Sequence, residues 1–214
     1  MLISSLIAED HDLTRQGIRS LLEDRLDARV CATTGNGLDV FSLLQEHEPD
    51  LLVLDLGLPH LNGLDVLRQI QESALSVQVV VLSMHAEDIY VSRAFELGAA
   101  GYVLKGASLD EMVRAVRTVV GGNRYLSDDL SDALLNAPQS TNGDADDRYQ
   151  TLTAREREVL QLTAEGYTSQ EIGEHLHISP RTADKHRQNI KAKLELKNVA
   201  EMTAYAHRRG LITG

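Results

Sequence analysis

The chain has 214 residues, of which 43% are hydrophobic and 25% are charged, a composition typical of globular proteins and a length that fits two modest domains. The single cysteine, Cys31, excludes an internal disulfide and a zinc site built from cysteines. No apolar run approaches the roughly 18–20 residues needed to span a bilayer, and no signal-peptide pattern opens the chain, so we expect a cytoplasmic protein.

The formal net charge of −11 is distributed unevenly along the chain. Residues 1–148 carry 11 Lys and Arg against 24 Asp and Glu, whereas residues 149–214 carry 10 against 8. Residues 181–197 alone hold six basic side chains and two acids. Such a basic segment is typical of a helix that reads nucleic acid, whereas a phosphate backbone would repel the acidic first part. The charge pattern therefore predicts two parts with different functions.

The first 120 residues alternate between short apolar runs and longer segments of helical periodicity. Because the runs are almost continuously apolar, they predict a parallel sheet that helices cover on both faces. Ser108 and Glu111 have the spacing of a capping box that opens the last of these helices. The predicted strands are Leu2–Ala8, Val30–Thr33, Leu51–Leu54, Val77–Leu82 and Gly101–Leu104, and the predicted helices are Thr14–Asp24, Leu38–Glu46, Leu64–Gln71, Ile89–Leu97 and Leu109–Val120.

A polar segment separates this pattern from a helical one. We predict a first domain over residues 1–122, a linker over 123–150 with a candidate short helix at Ser127–Leu135, and a second domain over 151–214. Helix start signals at Thr153, Thr168 and Ser179-Pro180, and a further helix at Val199–Arg209, predict four helices in the second domain. The tight connection around His177-Ile178 joins two of them as a helix-turn-helix.

Polar side chains follow the predicted strands where their carboxyl ends meet. The first strand delivers Glu9 and Asp10, the third Asp55, the fourth Ser83, and the last is followed by Lys105. Carboxylates brought together repel one another unless a cation is present, and their hard oxygen atoms favour Mg²⁺. A carboxylate beside Mg²⁺ can accept a phosphoryl group, with hydrogen bonds from the serine and the lysine to phosphoryl oxygens.

The motifs that carry these residues resemble the receiver domain of bacterial response regulators. They are Ile7-Ala8-Glu9-Asp10-His11, Leu54-Asp55-Leu56-Gly57-Leu58-Pro59 with Gly63, Leu82-Ser83, and Gly101-Tyr102-Val103-Leu104-Lys105. Leu152–Leu160 and Ile178–His186 resemble the LuxR-type helix-turn-helix. The whole chain except the linker is thus similar to the NarL/FixJ family, which implies a flavodoxin-like (βα)5 receiver followed by a four-helix DNA-binding domain.

The resemblance implies a role for each pocket residue. Asp55 is the expected phosphoacceptor of a sensor histidine kinase, in a protein that is not itself an enzyme beyond slow loss of the phosphoryl group. Ser83 and Tyr102 are the expected switch pair, the ring moving inwards, although a buried tyrosine without a switching role remains the alternative. Gly106 replaces the proline that follows the lysine in many receivers. The implied Mg²⁺ ligands are Glu9, Asp10, Asp55 and the backbone carbonyl of Gly57.

Residues of the second helix of the helix-turn-helix are the expected DNA contacts. Residues 181, 184, 185 and 188 share one face, whereas the apolar Ala183, Ile190 and Leu194 mark the inward face. By resemblance, Asp184, Lys185 and Gln188 read bases, and Arg181, Thr182, Arg187 and Lys191 hold phosphates. Asp184 departs from the family pattern, and stabilisation of the helix dipole from the first turn is its alternative role.

The resemblance also implies partners. Val199, Met202 and Ala206, spaced three and four residues apart, are candidates for a homodimer contact, with ordinary core packing as the alternative. A homodimer would read two half-sites of double-stranded DNA, and RNA polymerase is a further candidate partner.

Three other functions remain open from the sequence. One is a constitutive DNA-binding protein whose receiver serves only for assembly. Another is a Mg²⁺-dependent phosphotransfer enzyme or phosphatase, against which the lack of a clear general base counts. The last is a small-molecule receptor of LuxR type, which would need an enclosed apolar pocket instead of acidic strand ends.

Overall fold

A computed structural model describes residues 2–73, 75–130 and 148–212. The chain divides into two compact units; the described residues of the first contain a sheet, and those of the second contain four long helices. Among the described helices, none combines the length and the apolar character needed to cross a membrane.

The first unit is a parallel sheet of strand order β2-β1-β3-β4-β5-β6. Helices connect successive strands and cover the sheet, as predicted. The central strand is buried along its whole length, because its aliphatic side chains face helices on both sides. The strands are β1 Ile3–Ala8, β2 Ala28–Thr34, β3 Leu51–Asp55, β4 Gln78–Ser83, β5 Gly101–Leu104 and β6 Tyr125–Leu126, and the helices are α1 Asp12–Arg25, α2 Gly37–His47, α3 Gly63–Gln71, α4 Asp88–Glu96 and α5 Leu109–Val120.

The sixth strand is absent from the sequence prediction, which ended the sheet after five. Leu126 pairs in parallel with Tyr102 of β5, and the Ser127 N–H donates to the Tyr102 carbonyl at 2.9 Å. The Ser127 hydroxyl also donates to the carboxylate of Glu111. Only half of the predicted capping box at Ser108 therefore forms: its side chain accepts from the Glu111 N–H, while the Glu111 carboxylate binds Ser127.

The predicted linker is only partly described. Its first residues, including β6, lie in the sheet-containing unit. Residues 131–147, which hold most of the candidate helix at Ser127–Leu135, lie outside the described residues. The domain boundaries at 122 and 150 stay predictions.

The second unit contains the four predicted helices, each begun by a side-chain cap. Thr153 and Thr168 form complete capping boxes with Glu156 and Glu171. Ser179 caps the next helix, which has proline at its first position. These caps satisfy N–H groups that the helix itself leaves unpaired. The helices are α6 Ala154–Ala164, α7 Ser169–Leu176, α8 Pro180–Leu194 and α9 Val199–Arg208.

The turn between α7 and α8 depends on two backbone features. His177 is left-handed, with φ 54°. A Cβ at Gly173 would lie 2.7 Å from the carbonyl oxygen of Ile178, so only glycine lets the chain return this closely. The predicted helix-turn-helix is therefore present, with its tight connection at the predicted position.

Gly63, at the start of α3, generates a stability prediction. A Cβ there would lie 2.4 Å from the Asp55 carbonyl oxygen, so we expect Gly63→Ala to lower the free energy of unfolding by about 2 kcal/mol. Gly17→Ala is the matched control, because nothing lies within 4 Å of a Cβ at this position. Alanine inside α1 should raise the free energy of unfolding by about 0.5–1 kcal/mol. Urea unfolding followed by circular dichroism measures both; equal effects would contradict the close approach at Gly63.

Candidate functional site

Polar side chains from four strands meet at one edge of the sheet. Asp55 is the last residue of β3 and Ser83 the last of β4, while Glu9 and Asp10 follow β1 and Lys105 follows β5. Glu9 and Asp55 are 1% and 4% exposed, so both carboxyl groups are withdrawn from water. The structure places these residues where the strand-end argument predicted them.

Lys105 supplies positive charge to this pocket. Its Nζ lies 2.8 Å from Asp55 Oδ2 and 3.0 Å from the Glu9 carboxylate. Burial acts to lower the pKa of Lys105, but the hydrogen bonds and charges of Asp55 and Glu9 outweigh it, so this pKa lies above its usual value. The ammonium group is therefore charged and bound to both acids, with a trans bond to Gly106.

The carboxylate of Asp55 is held on both oxygens. Oδ2 accepts from Lys105, and Oδ1 accepts from the Gly57 N–H at 3.0 Å. Gly57 itself is exposed. Its carbonyl is the predicted metal ligand, and that role stays a prediction because the described contact uses the N–H.

The pocket has a donor set that suits a hard cation. Glu9, Asp10, Asp55 and His11 each offer one ligand atom, and these atoms lie within 4.8 Å of one another. Three of the four are carboxylate oxygens, the ligand type that Mg²⁺ prefers. The residues therefore fit the predicted ion.

Two neighbours of the acids were not assigned a role from the sequence. His11 Nδ1 lies 2.7 Å from Asp10 and 3.1 Å from Glu9; the charge of Asp10, then hydrogen bonds to both acids, raise the pKa of His11. Arg15 donates to the Glu9 carbonyl at 2.5 Å and to the Asp12 carboxylate. Asp12 and Arg15 are three residues apart on a helix, and this spacing was the local signal in the sequence that could have indicated their ion pair.

Tyr102 lies fully inside the first unit. The ring is 0% exposed, and its hydroxyl donates to the His85 carbonyl at 2.8 Å. Burial raises the pKa of Tyr102 to about 12, against the opposing effect of a hydrogen bond with Ser83. Ser83 Oγ also accepts from the His85 N–H at 3.1 Å. The ring is therefore already in an inward position in this structure, and the switching role of Tyr102 stays a prediction.

The helix-turn-helix presents a polar face on α8. Ala183, Ile190 and Leu194 are buried, which confirms the predicted inward stripe. The side chains predicted for one DNA-facing surface are exposed, while Thr182 and Lys191 are half-buried. We call this surface the α8 face; its members are Arg181, Asp184, Lys185 and Gln188.

Arg187 has partners within its own unit. Its Nε donates to Thr163 Oγ1 at 3.0 Å, its Nη1 to Ser169 Oγ at 2.7 Å and its Nη2 to the Tyr167 carbonyl at 2.5 Å. A guanidinium group has five N–H donors. The predicted phosphate contact of Arg187 would have to use the two that remain.

Asp184 does not lie where its alternative role requires. Pro180 is the first residue of α8, and the first turn contains no acidic residue. The macrodipole acts mainly on the first turn, so the alternative of dipole stabilisation is wrong. The Asp184 carboxylate instead accepts from the Ser169 hydroxyl at 2.5 Å.

The last helix corrects part of the dimer prediction. Met202 and Ala206 are 0% exposed, whereas Val199 is 47% exposed. The two buried side chains belong to the core of the second unit, which was the alternative for this spacing, and they are not available to a second subunit. Val199 stays a candidate for a dimer contact.

Two families match the chain, one in each unit. Residues 5–117 match the response regulator receiver domain. Residues 150–206 match the luxR family of bacterial regulatory proteins. The first match covers the sheet from within β1 to β5, together with the acidic pocket, and the second covers the helix-turn-helix.

The chain also has relatives that align with it over nearly its whole length. The chain is 34% identical to the oxygen regulatory protein NreC of Staphylococcus haemolyticus over 97% of this chain and 98% of the relative. It is 31% identical to the response regulator UvrY of Escherichia coli over 98% and 96%. A LuxR-family response regulator from Aurantimonas matches in structure with a TM-score of 0.60, 30% identity and coverage of 63% of this chain and 96% of that one. The chain therefore belongs to the NarL/FixJ family of two-component response regulators, transcription regulators that join a receiver to a LuxR-type DNA-binding domain.

Proposed function

We propose that a sensor histidine kinase phosphorylates Asp55 in a Mg²⁺-dependent reaction, and that this modification switches dimerisation and sequence-specific DNA binding. The observation that carries the proposal is the Asp55 carboxylate, 4% exposed, bound by Lys105 and surrounded by Glu9 and Asp10. A buried carboxylate paired with a lysine at a strand end is typical of functional sites. The protein would act on DNA in the cytoplasm.

The proposed step transfers one phosphoryl group. An oxygen of Asp55 attacks phosphorus, the bond from phosphorus to the kinase histidine nitrogen breaks, and the imidazole takes up a proton. Mg²⁺, held by Glu9, Asp10, Asp55 and the carbonyl of Gly57, would offset the charge of the phosphoryl oxygens. The chain would lose the group slowly by hydrolysis and would not turn over a substrate as an enzyme does.

The contacts of Lys105 and Ser83 support a response of both side chains to the new group. Lys105 contacts the Asp55 oxygen itself, so its ammonium group would move with the negative charge to a phosphoryl oxygen. Ser83 Oγ accepts a hydrogen bond from the His85 N–H, and its own hydrogen, which contacts Tyr102, would turn to donate to a phosphoryl oxygen. The Tyr102 hydroxyl donates a hydrogen bond to the carbonyl of the same His85. A rotation of the Ser83 side chain would therefore change the contacts of Tyr102.

DNA binding is assigned to α8. The α8 face is exposed and includes two basic side chains. Lys185 would address guanine, Gln188 adenine and Asp184 a cytosine amino group, and Arg181, Thr182 and Lys191 would hold phosphates. Arg187 would add a phosphate contact through its remaining N–H groups. Two such helices in a homodimer would read a pseudo-palindrome.

The alternatives differ in what supports them. The receiver match over residues 5–117 favours a phosphoacceptor over a small-molecule-sensing domain for this part of the chain. An enzyme would need a general base, and the buried Asp55 and Glu9 are already paired with Lys105. A constitutive DNA-binding protein remains the second candidate, and RNA polymerase remains a candidate partner.

The first functional prediction concerns the switch. Beryllofluoride with Mg²⁺, which mimics a phosphoryl group on Asp55, should convert the wild-type chain to dimers and tighten DNA binding by about tenfold or more, the size of a typical allosteric coupling. Asp55→Asn should show neither response. Light scattering and fluorescence anisotropy measure the two properties. If neither responds in the wild-type protein, the constitutive alternative replaces the switch.

The second functional prediction concerns the positive charge of Lys105 in the pocket. Lys105→Met removes a cation bound to Asp55 and Glu9, so the remaining acids should bind Mg²⁺ about tenfold more tightly, while the response to beryllofluoride is lost. Titration calorimetry with MgCl₂ measures the affinity. Lys105→Arg, which keeps the charge, is the control and should bind Mg²⁺ like the wild type. An unchanged affinity in Lys105→Met would show that the lysine does not compete with the ion.

The third functional prediction distinguishes side chains that read bases from side chains that bind the DNA phosphate backbone. Lys191→Ala should weaken binding to all duplexes alike and reduce the salt slope by about 1. Lys185→Ala should change preference at one base pair, by about tenfold. Anisotropy titrations at several salt concentrations, on a selected duplex and its single-pair variants, distinguish the two. Identical profiles for both variants would refute the assignment.

A further inference from the structure

A chain of three side chains ends on the α8 face. Asp184 is exposed there, and its Oδ1 accepts from the Ser169 hydroxyl at 2.5 Å. Ser169 is the first residue of α7, so this bond joins the two helices of the helix-turn-helix. The carboxylate is thereby held by one of its two oxygens.

The direction of this bond is fixed by a second one. Arg187 Nη1 donates to Ser169 Oγ at 2.7 Å. A guanidinium group can only donate, so the serine oxygen must accept from it. The single hydrogen of the hydroxyl is then left for Asp184, whose ionised carboxylate can only accept.

Arg187 is itself anchored in the interior. It donates to Thr163, which is 1% exposed, and to the Tyr167 carbonyl. Burial lowers the pKa of Arg187, and the charge of Asp184 acts in the opposite direction. Arg187 is thus held by the hydrogen bonds that it donates to α6 and to the α6–α7 connection, and by attraction to Asp184, the acid that it helps to place.

The second oxygen of Asp184 is available for a ligand. Across residues 148–212, no hydrogen bond to Oδ2 is made. A carboxylate near DNA is repelled by phosphates, so an unrestrained one would turn away from the groove. The bond to Oδ1 restrains the rotation of the carboxylate and leaves Oδ2 as the oxygen that can accept from a ligand.

We propose that Ser169, fixed by Arg187, is a positioning residue for base specificity: it orients Asp184 so that Oδ2 accepts the amino group of a cytosine in the major groove. The inference rests on the proposed DNA-binding function and deepens it. It adds a residue of α7, outside the recognition helix, to the determinants of sequence preference. It also gives Arg187 a role that does not require contact with phosphate.

The test is a comparison of base preferences. Full-length wild type and variants, with beryllofluoride and Mg²⁺, are used to select from a randomised duplex library, and affinities are measured for single-pair variants of the selected site. Asp184→Ala should lose preference for cytosine at one base pair by about tenfold. Ser169→Ala should lose part of the same preference, about threefold to tenfold, at the same pair and no other.

The coupling of the two residues gives the decisive comparison. The double variant Ser169→Ala with Asp184→Ala should be no less selective than Asp184→Ala alone, since the serine acts through the acid. Ser169→Thr, which keeps the hydroxyl, should retain the preference. Gln170→Ala, on the same helix and bonded only to the exposed Glu174 in the described contacts, is the matched control and should leave the profile unchanged.

Other outcomes overturn the inference in distinguishable ways. If Ser169→Ala weakens all duplexes alike, or lowers the melting temperature without changing preference, the hydroxyl only joins two helices. If Asp184→Ala leaves a selective profile unchanged, Asp184 does not read a base, and the inference fails while the proposed function stands. If the wild-type protein selects no sequence, both fail.

Discussion

Three carboxylates, of Glu9, Asp10 and Asp55, lie close enough to repel one another, and Lys105 is a cation that contacts two of them directly. Buried acids of this kind are stable only when a cation compensates them. The pocket residues come from different strands, so only the parallel strand order makes them neighbours. Gly63 serves the same end, because the absence of a side chain lets α3 begin against the Asp55 carbonyl. The strand order and the packing of α3 at this edge of the sheet thus bring the pocket residues together.

The sequence was sufficient for the elements whose pattern is local. Leu51–Leu54 is a continuous apolar run because both faces of this strand are covered. Thr153 and Ser179 are caps that the neighbouring residues in the sequence indicate. The strand β6 is different. It has two residues, follows a glycine pair that ends the helical pattern, and is held by contacts of Ser127 with Tyr102 and Glu111. No local pattern encodes contacts that depend on distant partners.

The same distinction applies to the site. Strand ends can be located in a sequence, so the pocket acids and lysine could be predicted as a group. The partners of Arg187 could not, because they depend on which side chains the packing of α6 and α7 brings within reach. Nor could the spacing of Met202 and Ala206 decide between core and interface. It shows that one face of a helix is apolar, not which protein surface covers that face.

The size of the acidic charge restricts how a signal can leave the pocket. Phosphorylation would replace the one negative charge of the Asp55 carboxylate by about two on the acyl phosphate. The net gain of about one charge falls in a region of 148 residues that already carries 13 more acids than bases. At physiological ionic strength, charges are screened over about 8 Å, so the added field would be a small change on a large background. A long-range electrostatic effect is therefore a weak way to transmit the signal from the pocket across a domain. The alternative is a local displacement of groups already in contact with Asp55, and Lys105, bonded to Asp55 and Glu9 at once, is the side chain whose movement an added charge would change most.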